Sequence, residues 1–254
     1  MPQKHLISFY STKEPTLNCW GEKTEEELEL KGKMKIEFDG IKSCTGFKGR
    51  EKRHHCPHRY DGKEQCPLCG SLDISRIYTS HNFTGFEDLK EEFQGHEFSI
   101  YLVSFGDYVK CGLAHADRIK DRVKEQGADY YVEIMRFKGE EAYQMETLLQ
   151  NHFGFKNAMR SDTKLKLLGK ENPKVLEEAI IKLESTAPFN EYLLGTPMPE
   201  KIAYKMLKDA APAQEIEGEI VGAKGPLLFF KGKEGNNVIN MKTKGGMHFH
   251  LQEL

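Results

Sequence analysis

The chain has 254 residues, 38% hydrophobic and 10% aromatic, with 37 Lys and Arg against 39 Asp and Glu and a formal net charge of −2. Such a composition supplies a packed core and excludes both a disordered chain and a protein that coats nucleic acid through bulk positive charge. The longest apolar run, Leu227 to Phe230, is far too short to span a bilayer, and no apolar segment with a cleavage site stands at either end, so the cytoplasm is the expected compartment and no membrane partner is expected.

Residues Leu17 to Asp39 alternate apolar and polar positions, with Leu28 and Leu30 in one predicted strand, Met34, Ile36 and Phe38 in the next, and Gly32 joining them. Four thiols follow, Cys44, Cys56, Cys66 and Cys69. The string QCPLCG carries two of them in a Cys-x-x-Cys turn, which spans one edge of a tetrahedron, and Gly70 lets the loop turn back toward the sulfurs. In a chain without a signal segment this spacing points to metal rather than disulfides, and the set predicts one closed, structural zinc site. His54, His55 and His58 can each replace a sulfur as ligand. Cys19 and Cys111 each stand alone among strand-like residues and read as buried free thiols. The loop that zinc would staple, Lys42 to Lys63, has seven basic residues against Glu51 and Asp61, a local balance of +5. It buries little apolar surface by itself, so metal would supply its folding free energy, on the order of 10 kcal/mol.

Leu72 to Tyr78 and Phe98 to Val103 are predicted strands, separated by a charged connection from Phe86 to Gly95 that marks a domain boundary. From His96 the pattern is strand, turn at Gly106 and Asp107, strand to Gly112, helix Ala116 to Gln126, strand Tyr130 to Phe137 and helix Glu140 to Phe153, a β-β-α-β-α unit. Gly127 stands where a left-handed helix cap belongs. In the second helix Ala142, Met145, Leu149 and Phe153 mark an apolar face, and Glu146 lies on that face. A carboxylate there is costly unless it is paired or bound to metal. Arg118 and Arg122, beside the apolar pair Ile119 and Val123, offer the ion-pair alternative.

A second basic stretch, Lys156 to Lys170, sets five basic residues against Asp162. A helix from Pro173 carries Val175, Leu176, Ala179, Ile180 and Leu183 on one face, and a short helix Glu200 to Asp209 and a linker Ala210 to Ala213 follow. The last forty residues are rich in glycine and read as a small all-β module, with Met247, Phe249 and Leu251 inward and His248, His250 and Gln252 toward solvent. The expected architecture is α+β in four parts: residues 1–95 β with the cysteine cluster, 96–170 the core, 171–212 helical, and 213–254 the β module.

Tyr101 in SIYLVS, the strand ending VKCG, Arg122 in RIKDRV and Glu146 in MET resemble, in order and spacing, the core of the GIY-YIG nucleases. The resemblance implies an active site in which a first-strand tyrosine (Tyr101), a second-strand tyrosine, a helix arginine (Arg122) and a metal-binding glutamate (Glu146) act on phosphodiesters. The second tyrosine's position holds Lys110, and Tyr108 lies on the same face two residues earlier. The chain from Cys44 to Asn240 also resembles a family known only as a domain of unknown function. That family joins a CTG, CP and C-x-x-C cluster to a Lys-x-Gly strand (Lys110 to Gly112), a Q-G-A turn (Gln126 to Ala128) and a segment like VGAKGPLLFF followed by NVINMK.

The function these readings imply is a zinc-containing protein acting on nucleic acid, DNA or RNA. One form is a nuclease in which Tyr101 or Lys110 serves as base, Arg122 steadies the phosphate and Glu146 holds Mg or Mn. A second is a binding module that keeps the nuclease core and no longer cuts, and a third is a zinc-stabilised protein-interaction scaffold. The two basic stretches and Arg122 are expected to form one track for a phosphate backbone.

Overall fold

The computed structural model describes residues 3–21 and 24–254. Its strands and α-helices in chain order are β1 (Lys4–Tyr10), β2 (Thr16–Trp20), β3 (Glu25–Glu29), β4 (Lys33–Lys42), β5 (Phe47–Lys48), β6 (Arg53–His54), α1 (Pro67–Leu72), α2 (Arg76–Thr79), α3 (Lys90–Gly95), β7 (Glu97–Phe105), β8 (Tyr108–His115), α4 (Ile119–Gln126), β9 (Tyr130–Lys138), α5 (Gly139–Phe153), α6 (Ser161–Lys166), α7 (Lys174–Glu184), β10 (Glu200–Lys201), β11 (Ala211–Pro212), β12 (Ile216–Lys224), β13 (Leu227–Gly232), β14 (Gly235–Asn240) and β15 (Met247–Glu253). They fall into two units, Met1–Lys90 with Lys205–Leu254, and Glu91–Tyr204.

Period-two alternation builds the first unit. In β4, Met34 and Ile36 are buried while Lys33 and Glu37 face water, the pattern of a strand covered on one side. The sheet runs β11-β14-β13-β12-β4-β15-β1-β2-β3, antiparallel throughout except between β11 and β14. Leu6, Leu17, Ile36, Leu228 and Phe249, from five of its strands, meet in one cluster. These side chains share the buried face of the sheet.

The strands expected to form a separate C-terminal module belong to this sheet. β15 inserts between β1 and β4 with Phe249 opposite Phe38, and β12 pairs with β4 through Ile216 opposite Ile36. Short glycine-punctuated strands alone would leave open edges, and the N-terminal strands cover them. β3 and β4 form on either side of Gly32 but do not pair, because β3 lies at the sheet edge on β2. The predicted linker at Ala210 to Ala213 contains β11. The expected strand Leu72 to Tyr78 instead takes in the end of α1 and most of α2. Cys66 caps α1 and Pro67 opens it, and Asp73 then accepts the Ser75 amide at 3.0 Å to start the next turn.

In the second unit the β-β-α-β-α order forms as predicted, as β7, β8, α4, β9 and α5. Its sheet, β10-β9-β7-β8, is antiparallel, and residues 98–105 of β7 are all buried because both faces are covered. Ile100 and Leu102 pack with Leu149 of α5 and Leu176 and Leu183 of α7. Tyr101 and Val103 pack on the other face with Ile119 and Val123 of α4. α7 follows Pro173 and buries Leu176, Ala179, Ile180 and Leu183 as the periodicity predicts. The helix expected over Glu200 to Asp209 is absent: β10 extends the sheet there, with the Tyr131 hydroxyl on Glu200 at 2.9 Å and the Ile202 amide on the Asp129 carbonyl at 3.0 Å. Edge pairing wins over a short helical pattern that has no cap.

Candidate metal centre and sheet-edge site

Short-range chain geometry assembles the cysteine cluster. The Cys44 amide donates to the Tyr60 carbonyl at 2.7 Å and the Thr45 amide to the Glu64 carbonyl at 3.0 Å, which lays the first cysteine against the Cys-x-x-Cys turn. Gly46 makes this approach at φ +81°, and a Cβ there would sit 1.8 Å from the His54 carbonyl oxygen. Asp73 ties the far side, accepting from the Lys48 amide at 3.0 Å and the Gln65 side chain at 2.9 Å. Burial alone would raise its pKa, but bonds from Ser75, Lys48 and Gln65 outweigh burial and hold the carboxyl below its usual range.

The four sulfurs lie within 4.8 Å of one another and all four cysteines are buried. Cys56 Sγ and Cys66 Sγ are 3.8 Å apart, and a zinc tetrahedron places thiolates about 3.8 Å apart. The Cys66 amide donates to Cys44 Sγ at 3.2 Å and the Cys69 amide to Cys66 Sγ at 3.5 Å. Burial pushes the Cys44 and Cys69 thiols up, whereas at Cys56 the Tyr60 and His58 amides outweigh burial and bring the thiol down to about 7. The set can hold a metal ion such as zinc, with cysteine at every position. The alternative histidine ligands are engaged elsewhere: His55 stacks on Trp20 at 3.6 Å and His54 on Phe47 at 5.0 Å, and His58 lies outside the group. Cys19 and Cys111 are the buried free thiols expected, and burial pushes Cys19 up to about 11.

The second cluster lies where β7 meets the edge strand β8. Tyr101 faces Gly112 across the ladder and Val103 faces Lys110, so Tyr101 and Lys110 share a face. A Cβ on Gly112 would fall 2.6 Å from the Tyr101 ring, which explains the glycine. The Lys110 ammonium lies 5.9 Å from the centre of that ring. Beyond β8, the chain after α5 covers the edge: the Cys111 amide donates to the Lys156 carbonyl at 3.0 Å and the Lys156 amide to the Val109 carbonyl at 3.1 Å.

Lys110 and Tyr101 each feel the charges of Arg122 and Glu146. Burial, then the positive charge of Arg122, lowers the Lys110 pKa, and Glu146 opposes them. Burial raises the Glu146 carboxyl, with Lys110 and a bond from Gln150 pulling the other way. Burial also lifts the Tyr101 phenol to about 12 against the pull of Arg122. The expected Arg122–Glu146 ion pair does not form: Arg122 pairs with Glu125 at 3.2 Å, as does Arg118, while Glu146 accepts from Gln150 at 3.0 Å. Local i,i+3 spacing on α4 favours Glu125. Among the described residues no ion pair joins Lys110 to Glu146. Tyr108 is 43% exposed at the hairpin end, away from the buried Tyr101.

Two site residues escaped the sequence reading. Gln126 is buried and donates to the Tyr101 hydroxyl at 2.5 Å, and Gln150 donates to Glu146. Ile119, Val123 and Gln126 are all buried at i, i+4 and i+7, so the reasoning that singles out Glu146 also finds Gln126. The basic stretches are partly spent internally. Arg50 donates two hydrogen bonds to the Asp88 carboxylate at 2.6 and 2.7 Å, Arg53 pairs with Glu25 at 2.7 Å, and Lys164 donates to the Gln126 carbonyl at 2.8 Å. No helix of the described residues is long and apolar enough to cross a membrane.

The family described as protein of unknown function (DUF2797) matches residues 32–249, and the chain belongs to it. No curated protein and no solved structure matches the chain.

Proposed function

We propose that this member of a family of unknown function is a zinc-containing protein that acts on nucleic acid, with its phosphodiester-handling site at the β8 edge. The observation that carries the reading is the state of Lys110 and Glu146. They are opposite charges, both largely buried and within each other's field, yet no ion pair joins them. A protein built only for stability gains by closing such a pair or replacing it with apolar groups. Left apart, the two can take up a ligand that carries both negative charge and a cation. Kinship to the GIY-YIG core rests on the quoted residues and on the strand and helix order of the second unit.

In this reading Lys110 is the base. Burial and Arg122 lower its pKa, so a larger share of it is neutral than in a free lysine, and that share can accept a proton from water. Arg122, exposed and held only by Glu125, is free to exchange that partner for a phosphate oxygen. Tyr101 accepts from Gln126, so its own proton points elsewhere, and its ring supports Lys110 from below. Magnesium or manganese held by Glu146 and by the substrate phosphate would stabilise the leaving oxygen. A single carboxylate suits this role, since magnesium is commonly held by one or two carboxylates plus phosphate. Zinc at Cys44, Cys56, Cys66 and Cys69 would fill a closed site and serve the fold.

A non-catalytic module is the second reading, favoured by the fully buried Tyr101 phenol and by lysine at position 110. Cleavage of single-stranded, duplex and branched DNA and RNA with magnesium or manganese separates the two. A nuclease loses cleavage in Glu146→Gln and keeps binding. Binding by the wild type without cleavage establishes the module, and no salt-sensitive binding at all removes both.

A further inference from the structure

The first unit contains an open polar cavity of about 830 Å³ that borders the cysteine cluster at Cys44 and Cys56, and its other lining residues have no part in the function proposed above. Two ring stacks border it. His5 and His248 lie parallel, 4.4 Å apart with planes 6° from each other, and Trp20 and His55 stack at 3.6 Å. Trp20 is fixed from behind by its indole N–H on the Thr45 carbonyl at 3.0 Å. His55 is exposed and His5 and His248 are half-buried, so these rings keep open surface.

Hydrogen bonds set the His5 tautomer and hold His248 beside it. His5 Nε2 lies 3.0 Å from the Gly246 carbonyl and 3.2 Å from that of Ser43, both acceptors, so this nitrogen carries the proton. The Ser43 hydroxyl lies 2.8 Å from His248 Nε2 and 3.3 Å from His5 Nε2, so one oxygen ties the two rings together. With Nε2 of each ring engaged, the two Nδ1 atoms make no hydrogen bond to the described residues. The expectation that His248 simply faces solvent is corrected by this network. Two further groups on the wall, Arg59 and Asp61, add a cation and a carboxylate. Arg59 is held at φ +45°, a conformation few non-glycine residues adopt.

Flat imidazole faces, their ring nitrogens, a carboxylate and a guanidinium are the complement of a planar heteroaromatic ring with a polar edge and a phosphate attached. We propose that this cavity binds a nucleobase with its phosphate, either as a free mononucleotide or as an unpaired nucleotide of a strand. The base lies against the open imidazole rings, with Trp20 behind His55, while Asp61 accepts from exocyclic amino groups and Arg59 meets the phosphate. The inference does not depend on cleavage at the β8 edge.

Trp20 is the one tryptophan of the chain, so its fluorescence reports on this cavity alone. Zinc-loaded full-length protein is titrated with AMP, GMP, CMP and UMP, with ribose 5-phosphate, and with short single-stranded oligonucleotides. Saturable quenching by at least one mononucleotide, weakened tenfold or more in Arg59→Ala, identifies the free nucleotide as ligand. Saturable quenching by oligonucleotides only, equally sensitive to Arg59→Ala, assigns the cavity to an unpaired base. Asp61→Asn should shift preference among the bases, and both variants alter exposed side chains, with retained zinc as the check on folding. Equal quenching by ribose 5-phosphate, or none by any probe at millimolar concentration, overturns the proposal. A protein that binds nucleotides here yet cuts nothing would leave this inference standing and remove the nuclease.

Discussion

The cysteine knuckle and the β8 edge are both clusters of titratable side chains, and their geometry runs in opposite directions. At the knuckle every sulfur lies within 4.8 Å of the others, and backbone amides of Cys66 and Cys69 point at two of them. At the edge, Lys110 and Tyr101 feel the charges of Arg122 and Glu146 without any ion pair among the four, and three of them lean on a neutral or local partner: Glu146 on Gln150, Arg122 on Glu125 and Tyr101 on Gln126. The first cluster is complete once a metal is added and offers nothing further to a ligand. The second is short of partners, and the proposed function rests on that shortage.

The largest test removes the metal. Chelation, or Cys69→Ala, should unfold the chain from about Cys44 to Asp73, because four thiols and few apolar side chains hold it and zinc contributes on the order of 10 kcal/mol. Hydrogen exchange should show lost protection there while β7 to β9 stay protected. Protein purified without chelator that contains no zinc would erase the contrast, since the knuckle would then be a cluster of buried thiols.

Next in size is catalysis. Lys110→Met and Glu146→Gln should each reduce any metal-dependent cleavage by about 10²–10⁴-fold, the usual worth of a positioned acid or base, with substrate binding retained. Cys69→Ala protein that still cuts at the wild-type rate would show how little the edge depends on the knuckle.

Two glycines give a smaller, matched comparison. Gly112→Ala brings a methyl to 2.6 Å from the Tyr101 ring, and overpacking of this kind costs about 1–3 kcal/mol in a urea titration. Gly46→Ala meets a backbone carbonyl at 1.8 Å at positive φ, where nothing can give, so it should lose zinc outright. If both variants keep wild-type midpoints and zinc, the two close approaches are not constraints.

What the sequence showed and what it hid follows the range of the interaction. Cys66 and Cys69 sit in one turn, and the β-β-α-β-α order follows from local periodicity, so both were legible. The partner strands of β4 were not: β15 and β12 lie some two hundred residues away, and alternation says which face is inward without saying which neighbour covers it. At the edge, Glu146 stood out as a charge on an apolar stripe, yet its partner was read as Arg122 because helix periodicity cannot see that Glu125, three residues on, takes the guanidinium first. The polar side of the first unit stayed hidden for the same reason. His5, Ser43 and His248 are brought together only by the sheet.

The most delicate test asks whether the edge is truly an open site. Burial, then Arg122, lowers the Lys110 pKa from the ordinary 10.5. Between the folded pKa and 10.5 the unfolded chain binds more protons than the native protein, so stability rises with pH across that window. Below the folded pKa the cost of the buried ammonium is present in full, and above 10.5 it is gone. Lys110→Met removes that cost. The variant should be more stable than wild type at pH 7, by about 1 kcal/mol, the low end of what replacing buried charge by apolar groups yields. Its advantage should shrink as pH rises toward 10.5, read as converging urea midpoints in magnesium-free buffer. The raised Glu146 carboxyl works against the gain, because Lys110 lowers its pKa and the variant leaves it alone. Adding Glu146→Gln should therefore increase the advantage at pH 7. A wild type that is more stable than Lys110→Met at every pH would mean that the ammonium has a good partner, and the edge would then be a closed structural pair like the knuckle, with no chemistry to perform.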